Sequence, residues 1–296
     1  MSEETSTGAP RRIVRDGYPE GVTCWVDCEV PDPAAAAEFY GGLFGWALED
    51  QMPPDAPGHY YSARIDGLDV AAVGSQPDGS PVTAWNTYVW VESADETAAK
   101  VTNAGGSILK EPFDVMQAGR MAVVADPQGA SFRLWQPGEH RGAQLVNEYG
   151  AWNFSGLTTT DVDGAIEFYR AALGWEAERS DEWTFFRVQG YGDHLAERDP
   201  TLRERLSADD DAPKGFEDAT AWVTGMDGQP DGTPPNWGVT FSVEDADAIA
   251  ARASELGGKV LVEPFDAPPV RMAVLSDPQG AVFTVTRYYP AGAERT

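Results

Sequence analysis

The sequence predicts an α+β protein made of four strand–helix–strand–strand–strand (βαβββ) units, grouped as two tandem copies of one domain. The first observation behind this prediction is internal repetition: FYGGLFGW at 39–46 recurs as FYRAALGW at 168–175, and the block at 120–130 recurs at 271–281. Several blocks that recur in one order indicate a tandem duplication. The second observation is that the hydrophobic period alternates between strand-like and helix-like within each copy.

Local patterns predict each element of the first copy in order. Residues 22–30 alternate as a half-buried strand does. Asp32 and Pro33 provide the N-cap and first position of a helix over 34–43, which Gly45 ends. The remaining predicted elements are strands at 60–65, 70–73 and 87–91, a helix that begins at Ser93 or Asp95 and ends at Asn103, and strands near 107, at 121–125 and at 131–135.

The matched blocks also divide the chain into domains. The predicted segments are a flexible tail at 1–20, a first domain at 21–138, a linker at 139–149, a second domain at 150–290 and a tail at 291–296. The second domain differs from the first by a polar insertion near 191–216. An insertion of this length is either a surface loop, which is the simpler interpretation, or a functional lid.

Composition excludes several classes of partner. The 296 residues include 48 Asp and Glu against 21 Lys and Arg, a formal net charge of −27. Phosphate backbones and anionic membranes repel such a polyanion, so we expect no nucleic-acid and no membrane partner. The chain shows no apolar run of about 20 residues and no signal-peptide pattern at its first residues, which predicts a cytoplasmic protein.

The repeated motifs resemble those of a known family. An FY pair at a helix end, followed by LFGW or ALGW, and DPQG before a last strand are similar to the vicinal-oxygen-chelate superfamily, which includes glyoxalases, bleomycin-resistance proteins and extradiol dioxygenases. The resemblance implies two tandem domains with curved, half-barrel sheets whose concave faces hold a small ligand. Because single-copy relatives dimerise to pair their units, the duplicated chain is expected to be a monomer or a homodimer.

The residues that the family uses to bind a metal have no equivalents here. The resemblance implies ligands on three strands of a copy, and their counterparts are Trp25, Asn86 and Arg133 in the first copy. In the second copy they are Phe154, Gly238 and Thr284. Divalent ions need carboxylates or neutral imidazoles. We therefore expect no metal and no other cofactor, and of the three histidines we expect only His59 to be able to face a cavity.

Side chains alternate between the two faces of a strand, so the metal-ligand positions of the family also indicate which side chains face the first concave surface. They predict Asp27 and Arg133 as candidate catalytic residues, with Asp27 transferring a proton under the influence of Arg133. A carboxylate paired with Arg tends to have a lowered pKa. The candidate ligand-binding residues of this copy are Trp25, Asn86, Tyr88, Trp90 and Trp135. An alternative is that Asp27 and Arg133 form an internal ion pair and that the three Trp residues fill the barrel.

The second copy predicts a roomier, hydroxyl-lined hollow. Its candidate ligand-binding residues are Phe154, Thr158, Thr240 and Thr284, and residues 183–186 offer an aromatic wall. This copy either binds a ligand or is a degenerate copy that is kept for structure.

Three functions follow from these patterns. The first is metal-independent binding of an aromatic metabolite or antibiotic, as in the bleomycin-resistance type. The second is a glyoxalase-like lyase or isomerase, or a dioxygenase-related enzyme, that acts in one concave cavity. The third is an interaction protein whose acidic surface and insertion contact a partner. The sequence leaves the choice between enzyme and binding protein open.

Overall fold

The computed structural model describes residues 12–76, 83–207, 213–229 and 232–289. Residues 1–11 of the first predicted tail and the whole of the second, 291–296, lie outside the described residues. The same is true of Asp209, Asp210 and Asp211 of the insertion and of most of 76–79, one copy of a repeated QPDG block. In the described part of the chain, no helix is long and apolar enough to cross a membrane.

The first copy contains two βαβββ units, as predicted. Its elements are β1 (Thr23–Val30), α1 (Pro33–Phe44), β2 (Ala47–Asp50), β3 (Tyr60–Ile65), β4 (Leu68–Ser75), β5 (Ala84–Trp90), α2 (Ala94–Asn103), β6 (Ser107–Val115), β7 (Gly119–Ala125) and β8 (Ser131–Pro137). The predicted cap is present, because the Asp32 carboxylate accepts a hydrogen bond from the Ala35 amide. The short strand β2 was not predicted.

The second copy repeats this order around its insertion. Its elements are β9 (Trp152–Thr158), α3 (Val162–Leu173), β10 (Glu176–Arg179), β11 (Thr184–Arg187), α4 (Tyr191–Ala196), α5 (Leu202–Ser207), β12 (Ala219–Thr224), β13 (Asn236–Ser242), α6 (Ala246–Glu255), β14 (Lys259–Ala267), β15 (Val270–Ser276) and β16 (Val282–Tyr288). The insertion is thus partly helical rather than a simple loop, and a 3-10 turn, Phe216–Asp218, follows it.

Each copy forms one curved sheet of eight strands. The order in the first sheet is β2-β3-β4-β1-β5-β8-β7-β6, and the second sheet has the equivalent order β10-β11-β12-β9-β13-β16-β15-β14. The first strands of the two units lie side by side and antiparallel at the centre of each sheet. The sheets do not close into a barrel, which confirms the predicted α+β class with two open, half-barrel domains.

The apolar faces of the two sheets pack into two core clusters, each of which contains residues of both copies, and the repeated motifs meet there. Trp85 donates to the Tyr40 hydroxyl (3.0 Å), which donates to the Asp277 carboxylate of the other copy (3.3 Å). The same series of hydrogen bonds starts from the second copy, where Trp237 donates to the Tyr169 hydroxyl (3.0 Å), which donates to the Asp126 carboxylate of the first copy (3.2 Å). The tyrosine of each FY pair therefore contacts the aspartate of the other copy's DPQG turn, which explains why both copies keep both motifs.

Residues before β1 and between the copies are also packed. Arg15 and Tyr18 are buried, although the sequence places them in a flexible tail. The Tyr18 hydroxyl donates to the Ala143 carbonyl (2.6 Å), and the Ala143 amide donates to the Cys24 carbonyl (2.8 Å). The segment before β1 and the linker thus cover the first sheet together.

Candidate ligand-binding site

The concave face of the first copy is filled by its own side chains. Every predicted site residue of this copy is less than 10% exposed: Trp25, Asp27, Asn86, Tyr88, Trp90, Arg133 and Trp135. Their strands place them in register, with Asp27 opposite Asn86 and Tyr88 beside Arg133. The structure therefore brings the predicted residues together, but as a packed interior rather than as the wall of an open cavity.

Asp27 accepts hydrogen bonds on both carboxylate oxygens. Tyr88 (2.6 Å) and Tyr60 (3.2 Å) donate to Oδ2, and Asn86 (2.9 Å) donates to Oδ1. Burial raises the pKa of Asp27 above its ordinary value, and the hydrogen bond from Tyr88 and the charge of Arg133 only partly oppose this. Arg133 lowers this pKa, as expected, but desolvation of the carboxylate outweighs that attraction, so the net shift is upward.

Arg133 forms its ion pair with another residue of the same strand as Asp27. Its guanidinium Nη2 lies 3.1 Å from Glu29 Oε2. Burial, together with the charge of Asp27, raises the pKa of Glu29. The ion pair that closes this face therefore joins Arg133 to Glu29, whereas the sequence suggested a direct pair with Asp27.

A histidine from the linker closes the remaining space. The His140 ring packs edge-on against Trp25 (ring centroids 4.4 Å apart) and also contacts Trp135 (5.7 Å). Burial lowers the pKa of His140, so it is neutral at neutral pH. His59, the histidine expected to be able to face a cavity, is largely exposed, contacts Asp50 and lines a pocket formed with residues 31–34, 56–58 and Ser75. The histidine that packs against Trp25 is instead His140, which the sequence placed in the linker.

The residues at the family's ligand positions do not fit a metal. Trp25, Asn86 and Arg133 lie on β1, β5 and β8, but an indole, a carboxamide and a guanidinium offer no anionic or imidazole donor. In the second copy the equivalents are a phenyl ring, a glycine and a hydroxyl group. Within residues 12–76, 83–207, 213–229 and 232–289, no three His, Cys, Asp or Glu side chains are grouped as metal ligands would be.

The concave face of the second copy is more open. Phe154, Thr158, Thr240 and Thr284 are all half-buried, with Thr240 opposite both Phe154 and Thr284 in the sheet. A Cβ atom placed on Gly238 would meet no atom closer than 3.8 Å. The small residues of this copy therefore leave unfilled space where the first copy has large ones.

Aromatic rings line one side of this hollow. The ring of Phe154 stacks on Phe216 (centroids 5.8 Å apart) and contacts Trp222 (5.8 Å). Phe185 and Trp183 extend the cluster, as predicted. Phe186 does not belong to it, because successive side chains of a strand point to opposite faces and Phe186 packs against Tyr169 in one of the two core clusters.

A cavity of about 190 Å³ lies beside this aromatic cluster. Its walls come from the segment before β1, from the start of β1, from the linker, from β9 and β12, and from the insertion. The residues that line it include Arg15, Tyr18, Thr23, Trp152, Phe154, Tyr191, Leu195, Leu202, Phe216 and Thr220. Of the predicted second-copy residues, only Phe154 lines it. Thr158, Thr240 and Thr284 lie further along the same concave face.

Most residues of this cavity were missed by sequence reasoning. Alternation along β12 could have placed Thr220 and Trp222 on the concave face, since the two residues are separated by one position. Nothing in the local sequence could have placed Arg15 or Tyr191 there. Their positions depend on the packing of a distant segment and of the inserted helices against the sheet.

The raised pKa of Asp27 predicts how stability changes with pH. A carboxyl group whose pKa is raised on folding binds its proton more tightly in the folded protein than in the unfolded chain. Its contribution to the free energy of unfolding is therefore fully present below the ordinary pKa, near 3.8, and is lost as the pH rises through the folded-state pKa. The Asp27→Asn variant lacks this titration. Relative to the wild type, its free energy of unfolding should therefore increase as the pH rises from about 4 to about 8, measured by urea denaturation.

Asp95→Asn is the matched control of opposite sign. The Arg120 side chain lowers the pKa of Asp95. The free energy of unfolding of the wild type should therefore fall relative to that of this variant as the pH falls. Parallel pH profiles for wild type and Asp27→Asn would show that Asp27 has no raised pKa.

The two eight-stranded sheets, each built from two paired βαβββ units around a concave face, define the class of the protein as a tandem α+β fold. The family model "Glyoxalase/Bleomycin resistance protein/Dioxygenase superfamily" matches residues 25–134, and the model "Glyoxalase-like domain" matches residues 155–286. The chain belongs to this glyoxalase/bleomycin resistance/dioxygenase superfamily, and both copies are members.

Similar proteins extend over nearly the whole chain. "Putative glyoxylase CFP32" of Mycobacterium bovis is 38% identical over 283 residues, which cover 93% of this chain and 98% of the relative. "Anthracycline biosynthesis protein DauV" of a Streptomyces strain is 36% identical over 295 residues, covering 94% and 98%. Among solved structures, the Mn(II)-bound glyoxalase of Novosphingobium aromaticivorans has a TM-score of 0.57 at 14% identity and covers 90% of this chain and 82% of its own. The last likeness concerns the fold alone.

Proposed function

We propose that the protein binds a small aromatic molecule, without a metal, in the cavity of its second copy. The observation that carries this proposal is the contrast between the copies. The first concave face is filled by buried side chains, whereas the second has a cavity of about 190 Å³ beside stacked aromatic rings.

The chemistry of the cavity supports an aromatic ligand. Phenyl and indole rings attract flat ligands by offset stacking and edge contacts, and they bury a large apolar area. Trp152, Phe154 and Phe216 supply such surfaces, and the wall also contains the polar residue Thr220, whose hydroxyl is hydrogen-bonded to Thr23. Pockets that are mostly apolar with a few polar groups are typical small-molecule sites. The names of the relatives, a glyoxylase and an anthracycline biosynthesis protein, also support a small-molecule role.

Titration of tryptophan fluorescence with a panel of monocyclic aromatic compounds tests the proposal. Trp152 lines the cavity, so a bound aromatic compound should quench its emission. The Phe154→Ala variant should weaken binding by about tenfold, the loss expected for one aromatic contact. Addition of a chelator should leave the affinity unchanged.

Trp25→Phe is the control, because it changes a buried ring of the first copy and should leave the affinity unaltered. Phe154→Leu, which keeps an apolar side chain, separates loss of a contact from loss of folding, and thermal unfolding of both variants checks stability. Absence of quenching by every compound, or an equal effect of Trp25→Phe, would contradict binding in the second copy. A large loss of affinity with chelator would contradict metal independence.

A further inference from the structure

Arg15 is a buried cation with no anionic partner in the part of the chain that the structure describes. The residue is 7% exposed, and its guanidinium donates to the Tyr191 hydroxyl (2.6 Å). It lies over the rings of Tyr18 and Tyr191, with its central carbon 5.3 and 5.8 Å from their centroids. Its Nε is buried and has no hydrogen-bond partner. No carboxylate among the residues that the structure describes forms an ion pair with it.

This arrangement is unusual in a chain with 48 acidic side chains. Buried charges are normally paired, because an isolated ion loses its hydration without compensation. Arg133, the other buried arginine of the two concave regions, has Glu29 as its partner. Two tyrosine rings compensate Arg15 only in part, since a cation–π contact is weaker than an ion pair with a hydrogen-bonded carboxylate.

The same arginine lines the cavity of the second copy. Tyr18 and Tyr191 flank it there, and Phe154 and Phe216 lie among the other lining residues. Glu217 also lines the cavity but forms no ion pair with Arg15 in the described structure. The volume of about 190 Å³ is slightly larger than an engineered cavity of roughly 150 Å³ that accepts benzene. One aromatic ring with a small substituent therefore fits.

We propose that the cavity binds a monocyclic aromatic carboxylate, with its carboxylate on the Arg15 guanidinium and its ring against Phe154 and Phe216. This inference rests on the proposed function and specifies the class of ligand. A guanidinium is planar and can donate two parallel hydrogen bonds to a carboxylate. Arg15 donates one hydrogen bond to Tyr191, so other N–H groups of its guanidinium are available for a carboxylate. The ligand would supply the anion that the described residues do not place beside Arg15.

The insertion contributes residues to the wall of this cavity. Tyr191, Leu195 and Leu202 lie on the inserted helices α4 and α5, and they form part of the cavity wall. The first copy has no equivalent segment between β3 and β4. The insertion therefore distinguishes the copy with a cavity from the copy whose concave face is filled.

The experiment compares benzoate with benzamide, its neutral analogue of nearly equal shape, by fluorescence titration and calorimetry. Wild-type protein should bind benzoate at least about tenfold more tightly than benzamide, because only benzoate forms a charge-assisted pair. Arg15→Met should remove this difference while benzamide affinity stays within about threefold. Arg15→Lys keeps the charge without the planar fork and should retain part of the preference.

Arg12→Met is the matched control. Arg12 lies on the same segment but is exposed and pairs with Asp66, so its loss should change neither affinity. Thermal unfolding of Arg15→Met establishes that it is folded.

Equal binding of benzoate and benzamide by the wild type, or an unchanged benzoate preference in Arg15→Met, would overturn the carboxylate inference and leave aromatic binding standing. Failure of every aromatic compound to bind would overturn both proposals. Tight binding of inorganic phosphate with no binding of benzoate would also overturn the inference.

Discussion

The Arg133→Met variant is expected to unfold roughly 6–10 °C below the wild type and to bind aromatic ligands unchanged. Arg133 and Glu29 are 7% and 25% exposed in their side chains. Removal of one partner of a buried ion pair costs about 3–5 kcal/mol, and we expect the lower end because Glu29 is partly solvated. Methionine fills the volume but leaves Glu29 and Asp27 without a nearby cation.

Differential scanning calorimetry and the aromatic titration together separate a structural role from a binding role. Arg179→Met removes an exposed pair with Asp163 and should change stability by less than about 1 kcal/mol. Adding Glu29→Gln to Arg133→Met should restore part of the lost stability, since it removes the unpaired carboxylate. Loss of ligand binding with an unchanged melting temperature would instead place the ligand site in the first copy.

Much of the fold could be predicted because its signals are local. Asp32 with Pro33 marks a helix start, Gly45 marks its end, and alternation over 22–30 marks a strand. Repetition then extends these assignments to the second copy. Strand β2 escaped prediction because its four residues alternate only between half-buried and exposed, so no strong apolar pattern marks them.

The site was only partly predictable, for a physical reason. Strand parity places Trp25, Asp27 and Arg133 on one concave face, but parity does not indicate whether that face is open. Closure depends on His140, which reaches Trp25 from a linker more than a hundred positions along the chain. The partner of Arg133 was also ambiguous, because Asp27 and Glu29 share the same strand face.

The cavity of the second copy depends on how closely the segment before β1 packs against the linker. Gly142 has a φ of +83°, and a Cβ atom there would lie 2.5 Å from the Cys24 carbonyl oxygen and 2.9 Å from the Tyr18 ring. Tyr18 lies beneath the Arg15 guanidinium and lines the cavity. A side chain at position 142 therefore pushes the linker from β1 and displaces one wall of the ligand site.

The Gly142→Ala variant should lose about 3 kcal/mol of stability and bind benzoate about fivefold or more weakly. The left-handed conformation accounts for about 1–2 kcal/mol of this loss and the contact with Cys24 and Tyr18 for the rest.

Gly129→Ala isolates the first contribution, because Gly129 has a φ of +94° with no atom within 4 Å of the added Cβ. That control should lose about 1–2 kcal/mol and keep its benzoate affinity. Urea denaturation and the fluorescence titration measure both quantities. Equal behaviour of the two variants would show that the linker contact does not shape the cavity, whereas weaker binding in Gly142→Ala alone connects the segment before β1 to the ligand through Tyr18 and Arg15.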